Sequence, residues 1–384
     1  MITYCTNIHP GESWDEVFSN LRTYIPAIKN DVSPDAPFPI GLRLSNIASL
    51  DIDERTSAVF HEWCQKNNCY VPTINGFPYG SFHSLPVKEK VYLPDWRHME
   101  RVQYTNRLAT LLDSWLPAEI TGSISTVPVG FRNHANKEDY TLIRQNLITA
   151  LEHIDGLSQK SGKAIILSLE PEPGCVLETT DDIIRFFEQM NFPEKLRQNI
   201  GICFDCCHHA VEFEDSKESL SMLSEANIKI GKVQVSNALR VNYEVHIMKN
   251  KIGGDLKGEN REFLNEILLR FCDPYYLHQT VIRQKDGSLL DYNDITEALQ
   301  SHHPDADEEW RIHFHVPVFV EKMDLYGTTR HFTEEILSIV DRNILLEVET
   351  YTWDILPSEL RTETVTQSII REIQWVQERV KERN

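Results

Sequence analysis

Residues 200–210 read IGICFDCCHHA. The first half, Ile200 to Phe204, is apolar and short, the pattern of a buried strand. The second half turns ionisable at once, with Asp205, His208 and His209 around Cys206 and Cys207. A buried strand that ends in a carboxylate and an imidazole puts ionisable groups where dehydration is costly, unless a cation or a partner compensates them. The same event occurs upstream, where AIILSL (164–169) runs into Glu170, Pro171, Glu172, Pro173 and Gly174. It recurs downstream, where Ile344, Leu345 and Leu346 lead into Glu347 and Glu349. Three apolar strands, each ending in acid, predict carboxylates converging at one end of a parallel sheet or barrel.

The chain is long and apolar enough for one large core: 384 residues, 41% hydrophobic and 25% charged. No apolar run approaches the ~20 residues needed to span a bilayer. The start, MITYCTNIHPGESW, lacks the basic and apolar segments of a secretory signal. Eight scattered cysteines form no disulfide-like framework, so a reducing cytoplasm is the expected compartment. Cys206 and Cys207 read as small buried thiols at a strand end. The formal net charge of −20 opposes binding to a phosphate backbone, so nucleic acid is excluded as the expected partner. The oligomeric state, a homo-oligomer included, is left open.

Strand and helix patterns alternate along most of the chain. Strands are expected at 2–7, 39–44, 69–74, 120–127, 164–170, 201–205 and 229–235, and helices at 12–29, 51–67, 96–115, 140–160, 181–190 and 217–226. Asp51, with Glu54 three residues on, reads as the N-cap of the second helix. Regularity fails between 241 and 310. A helix is expected at 261–271, a strand at 276–283 followed by a turn at Lys285, Asp286 and Gly287, a helix at 294–300, and a polar loop at 302–309. Strands at 311–320 and 343–349 and helices at 328–340 and 362–380 complete the chain. Eight βα units close a (β/α)8 barrel. The count is nine strong strands plus a hairpin candidate, so one strand between 276 and 320 lies outside the barrel, or an insertion at about 241–310 covers its mouth. The expectation is a single domain over 1–384 with that insertion between strands 7 and 8.

In such barrels the active site lies at the C-terminal ends of the strands, where Glu170, Asp205 with His208, Gln234 with Arg240, and Glu349 all fall. This arrangement resembles the xylose isomerase-like TIM barrel family of sugar isomerases, sugar epimerases and endonuclease IV-type enzymes. Asp205-Cys-Cys-His208 matches the Asp-x-x-His of that family's sixth strand, and Glu170 its metal-binding glutamate on the fifth. Gln234 to Arg240 matches the seventh strand's polar run, and Glu349 or Glu347 the second metal-binding glutamate. More narrowly, YCTNIHPGESW at the start, HFHVP near 315 and LEVETYTW near 350 resemble the EboE-type metabolite-traffic proteins of bacterial ebo operons.

The resemblance implies a divalent metal, Mn²⁺, Mg²⁺ or Zn²⁺, held by Glu170, Asp205, Gln234 and Glu349. Glu170 and Glu349 would double as catalytic acid and base, with His208 and Arg240 on substrate oxygens. Removing a proton next to a carbonyl creates an anionic enediolate, which a divalent metal stabilises. Each residue also has a plainer reading. A strand-end carboxylate is often a helix cap or an ion-pair partner, Gln234 can be a buried amide without metal, and Arg240 can pair with a nearby acid. Glu349 is nearer the strand end than Glu347, which shares its face and is kept as a substrate contact. His313 and His315 share a strand face, either as substrate contacts or, for His315, as the imidazole ligand in place of Gln234. His9 is a substrate-contact candidate at the mouth, and His209 reads as structural.

The expected function is therefore a metal-dependent isomerase or epimerase of a sugar or sugar-like metabolite. The alternatives are non-catalytic handling of a biosynthetic metabolite and, against the charge, an endonuclease IV-like phosphodiesterase.

Overall fold

A computed structural model describes residues 1–83, 86–134, 136–242, 265–302, 308–323 and 326–383. The first seven strands are β1 (Ile2–Tyr4), β2 (Phe38–Arg43), β3 (Cys69–Asn75), β4 (Gly122–Thr126), β5 (Ile165–Leu169), β6 (Ile200–Asp205) and β7 (Lys229–Val235). Five more follow: β8 (Asn237–Asn242), β9 (Thr280–Arg283), β10 (Leu289–Tyr292), β11 (Glu309–Val316) and β12 (Gly327–Thr328). The last, β13, spans Leu346–Val348.

Two sheets result. The first has eight strands in the order β1-β13-β7-β6-β5-β4-β3-β2, and every adjacent pair is parallel. A bridge between Cys5 and Gly41 joins its two edges, giving a nearly closed (β/α)8 barrel. Strands buried on both faces need near-continuous apolar runs, which explains why β5 and β6 are legible in the sequence. The interior leaves no room for a side chain at position 41. A Cβ there would stand 2.1 Å from Glu347 Oε1 and 2.5 Å from the Tyr4 carbonyl oxygen.

The second sheet is antiparallel, ordered β10-β9-β11-β8-β12, and joins β7 to β13. The strands expected at 276–283 and 311–320 are thus β9 and β11, paired with each other, and both lie outside the barrel where only one is expected to. The turn signal at 285–287 closes the β9–β10 hairpin, with Gly287 at φ +87°. β8 begins one residue after β7 ends, with no turn residue to mark the break. Of the expected helix at 261–271, residues 265–269 are helical and 261–264 lie outside the described residues. The polar loop at 302–309 and the stretch from 241 also lie partly outside them.

Helix starts follow cap chemistry. Ser13 and Glu16 form a capping box for α1 (Trp14–Val32). The helix expected from Asp51 starts later, because α2 (Asn46–Leu50) ends at Asp51 and Asp53 caps α3 (Glu54–Lys66) by accepting from Thr56 N–H. Asp51 instead accepts from Trp14 N–H at 3.2 Å. At the end of β6, Asp205 caps α7 (Cys206–Val211) by accepting from His208 N–H at 3.0 Å.

The final helix, Val365–Lys381, ties the two sheets together through fully buried Glu372. Its Oε2 accepts from Val318 N–H at 3.0 Å, just after β11, and from Thr350 Oγ1–H at 2.7 Å, just after β13. Burial pushes its carboxyl up to about 7 against these hydrogen bonds. A carboxyl raised in the folded state contributes stability that is complete below its unfolded value, near 4.5, and is lost as pH rises through about 7. The loss is on the order of 3 kcal/mol. Glu372→Gln is therefore expected to match the parent in urea unfolding at pH 4.5 and to exceed it at pH 8. A variant less stable than the parent at pH 8 contradicts this.

Candidate functional site

Three acids meet at the C-terminal rim of the barrel. Glu170 follows β5 and Glu349 follows β13. Their backbone N–H groups donate to Thr126 O and Val235 O, which carries the ladder past the strands. Asp205 ends β6. One carboxylate oxygen of each lies within 4.8 Å of the others, and all three side chains are buried. Asp205 Oδ1 accepts from Ser236 Oγ–H at 2.7 Å, in addition to its helix-capping bond. Glu349 Oε1 accepts from Asn7 Nδ2 at 2.8 Å and from Asn75 Nδ2 at 3.1 Å. Glu170 Oε2 and Asp205 Oδ2 are buried without a hydrogen-bond partner.

Unpaired buried carboxylates cost several kcal/mol each unless neutralised. Burial first, and Glu349 second, push Glu170 well above the usual carboxylate range. Burial first, and Asp205 second, do the same to Glu349. Burial also penalises Asp205, but His208, His315 and its hydrogen bonds outweigh it and hold it below its ordinary value. The cation acting on Glu170 and Glu349 is Lys232 of β7, fully buried. Lys232 is itself engaged by Glu347 through a direct ion pair, so one acid of the group is matched and three are not.

Imidazoles reach this rim from two directions. His208 comes from α7, and His313 and His315 come from one face of β11 in the second sheet. His315 Nδ1–H donates to the Glu349 carbonyl oxygen at 2.9 Å, leaving Nε2 as a lone pair, buried and unpartnered. Burial holds the ring near 4, hence neutral at pH 7 and fit to donate to a metal. Asp205, His208 and His315 present ligand atoms within 4.8 Å of one another. Fixing Nδ1 on a backbone carbonyl is the arrangement that orients a ligand histidine.

The rim opens into a narrow cavity of about 50 Å³. Glu170, Glu349, Glu172, His208, His313, Asn7 and Asn75 form its polar end, and Phe77, Phe82, Tyr92, Tyr276 and Tyr351 its aromatic wall. Glu172 Oε1 accepts from Tyr92 Oη–H at 2.7 Å and Gln279 Nε2 at 3.1 Å. Burial raises its carboxyl to about 7 against those bonds.

Of the residues singled out in the sequence, Glu170, Glu349, His208 and His313 line this cavity, and Asp205 and His315 stand against them. Four fall elsewhere. Gln234 lies in register with Asp205 and Glu347, where its Oε1 accepts from Cys203 Sγ. Glu347 is withdrawn into the barrel by Lys232. Arg240 sits on β8 in the second sheet, half exposed and paired with Glu309 at 2.8 Å. It leaves the site because the polar run after β7 is itself a strand. His9 stacks on Tyr24 at 4.0 Å and contacts Tyr4 Oη at 3.0 Å, in a separate surface pocket.

His209 is structural, stacked on Phe204 and bonded to Glu214. All eight cysteines are free. Cys203 and Cys206 stand in Cys-x-x-Cys spacing, and Cys203 serves Gln234. Cys207 lies beside His313 and His315.

Sequence reading passed over Asn7, Asn75, Tyr92, Gln279 and Tyr351, and gave Glu172, noted after the fifth strand, no role. Asn7 and Asn75 follow the same strand-end rule as the acids and carried that signal. Tyr92 came from an irregular segment that carries no periodicity, and Gln279 lies just before β9, within the strand expected at 276–283, whose pattern marks no site.

No family model matches the chain, and no curated protein matches it in sequence. Solved structures do match. A xylose isomerase-like TIM barrel protein from Mycobacterium smegmatis in complex with magnesium has TM-score 0.54 at 9% identity, covering 100% of this chain and 97% of that one. A D-tagatose 3-epimerase-like protein has TM-score 0.52 at 11% identity, covering 100% and 98%. The IOLI protein with a bound zinc atom has TM-score 0.50 at 11% identity, covering 100% and 99%. The fold is that of the xylose isomerase-like TIM barrels.

The charge arrangement makes a direct prediction. Lys232→Met strands Glu347 without its counter-charge, so unfolding free energy is expected to fall by about 3–5 kcal/mol. The Lys232→Met/Glu347→Leu pair removes both charges and should recover most of it. Urea denaturation measures both, and a single-variant loss under about 1 kcal/mol contradicts the assignment.

Proposed function

We propose that the protein is a metal-dependent isomerase or epimerase acting on a sugar or sugar-like metabolite by proton transfer next to a carbonyl. The observation that carries this reading is the convergence of Glu170, Asp205 and Glu349 with buried oxygens that no protein group satisfies. The likeness to a D-tagatose 3-epimerase-like protein and to magnesium- and zinc-bound barrels supports the same kind of chemistry.

Glu170, Asp205, Glu349 and His315 are the residues that would hold the cation. Three oxygens and one imidazole nitrogen suit Mn²⁺ or Zn²⁺ better than Mg²⁺. Gln234 is left out because its carbonyl oxygen is engaged by Cys203. A bound divalent cation supplies positive charge to the oxygen anion that develops when the substrate loses its proton.

The protein's own groups do the rest. Glu170 and Glu349 come from strands separated by two others in the barrel order, so they approach a substrate from different sides. One takes the proton from the carbon next to the carbonyl and the other returns it. Asn7 and Asn75 fix Glu349 through Oε1. His208 and Glu172 line the polar end of the cavity, and the aromatic wall covers the apolar face of a ring.

Metabolite handling without turnover is the second reading. It is favoured by the cavity's outer wall, where Phe77, Pro78, Phe82, Val87, Val91 and Leu277 are apolar. Phosphodiester cleavage has little support, since among the described residues the cation lining the cavity, Lys88, is paired with Asp294.

The test is solvent exchange. The Mn²⁺-supplemented protein is incubated in D₂O with D-fructose, D-tagatose and D-glucose, and deuterium next to the carbonyl is read by NMR. Wild type is expected to incorporate deuterium, and Glu170→Gln and Glu349→Gln to slow it by about 10²–10⁴-fold. A wild type that binds metal and exchanges no proton with any of these sugars supports handling instead.

A further inference from the structure

A second group of ligands stands beside the first and shares none of its three carboxylates. Glu172, His208 and His313 are buried and present one ligand atom each within 4.8 Å of one another. All three line the cavity.

The hydrogen bonds around the two rings assign their protons. His208 Nδ1 lies 2.8 Å from the Pro171 carbonyl oxygen, which only accepts, so Nδ1 carries the hydrogen. His313 Nδ1 lies 2.8 Å from Gln279 Oε1. The orientation of that amide is fixed from its other end, where Nε2 donates to Pro173 O at 2.9 Å and to Glu172 Oε1 at 3.1 Å. Gln279 Oε1 is therefore an acceptor, and His313 Nδ1 also carries its hydrogen. Each ring is left with Nε2 as a lone pair, and the two Nε2 atoms face each other at 3.0 Å. Tyr351 Oη also lies 3.4 Å from His313 Nε2, whereas His208 Nε2 has no hydroxyl beside it among the described residues, and two lone pairs 3.0 Å apart repel unless a cation stands between them.

The spacing suits a metal. Zinc–nitrogen bonds of about 2.0–2.1 Å in tetrahedral geometry put two nitrogens roughly 3.3 Å apart. Glu172 supplies the third donor. Its Oε1 is taken by Tyr92 and Gln279, and no hydrogen bond among the described residues falls on Oε2. Two imidazoles and one carboxylate, with a remaining position open to a cavity, form a donor set of catalytic zinc sites.

We propose that Glu172, His208 and His313 hold a second divalent cation, zinc by its donor set, with its open position toward the cavity. His313 is delivered by β11, so the second sheet completes this centre as well as roofing the barrel. Its place is next to the first, since His208 Nε2 lies 4.0 Å from Asp205 Oδ1. The site serves the proposed reaction by engaging a second substrate oxygen, yet it stands on its own ligands and does not depend on that reading.

The test is metal stoichiometry on the intact chain, by elemental analysis after Zn²⁺ loading and dialysis and by titration calorimetry. Wild type should hold two equivalents. His313→Asn and Glu172→Gln should each lose one, and Glu170→Gln/Glu349→Gln should lose the other. Two variants at the new site guard against one that fails to fold, with circular dichroism as the check. EPR of the Mn²⁺-loaded protein should show a coupled pair in wild type and an isolated ion in His313→Asn.

A single equivalent that survives His313→Asn and Glu172→Gln means a shared proton only, and overturns the proposal. Two equivalents surviving both variants overturn it as well. A single equivalent that is lost in His313→Asn but kept in Glu170→Gln/Glu349→Gln upholds this site and removes the metal from the proposed function.

Discussion

The constraint on which the structure turns is the burial of more acid than base at one end of the barrel. Glu170, Asp205 and Glu349 are all buried there, and Lys232 answers Glu347. A fold built for stability alone would replace such groups with apolar ones of similar size, since desolvation usually outweighs what buried pairs return. Here the surroundings are arranged to keep them. Ser236 and the first turn of α7 hold Asp205, while Asn7 and Asn75 hold Glu349. What remains unsatisfied is confined to oxygens and a nitrogen that face one another. Strain kept at one spot and relieved elsewhere is the signature of a site.

The barrel alone does not finish the site. β11 crosses over from the second sheet and brings His313 and His315 to the rim, where Glu349 O orients one ring and Gln279 the other. The same strand is anchored away from the rim by Glu372 on the last helix and by Arg311, which donates to Ala210 O at 2.6 Å and covers Phe213 at 4.0 Å. The addition between β7 and β13 thus brings side chains to the rim and to the lining of the cavity. It also divides the cavity into a polar end set by the barrel and a wall of Phe82, Tyr276 and Tyr351, whose rings stand 5.0–5.2 Å apart.

Much of this was legible in the sequence, for a physical reason. A parallel barrel strand is buried on both faces, so its apolar run stops sharply where the rim begins, and the first ionisable residue marks the site. That rule found Glu170, Asp205 and Glu349. It does not reach Arg240, because β8 follows β7 with a single residue between them, so a change of sheet looked like a continuing polar rim. Glu347 misled because alternation gives the face of a residue and not its depth. One pleat below Glu349, it meets Lys232, whose charge inside an apolar strand was the available clue. Gln279 and Tyr92 act through distant contacts, and no local pattern announces those.

The central claim is that the three carboxylates gather around an ion. Anomalous diffraction from a crystal grown with Mn²⁺, collected on both sides of the manganese edge, measures it directly. The account predicts an anomalous peak within ligand distance of Glu170, Asp205 and Glu349 oxygens and of His315 Nε2. A map with no peak among those side chains, with each acid paired to its own protein cation or protonated against a neighbour, would contradict it.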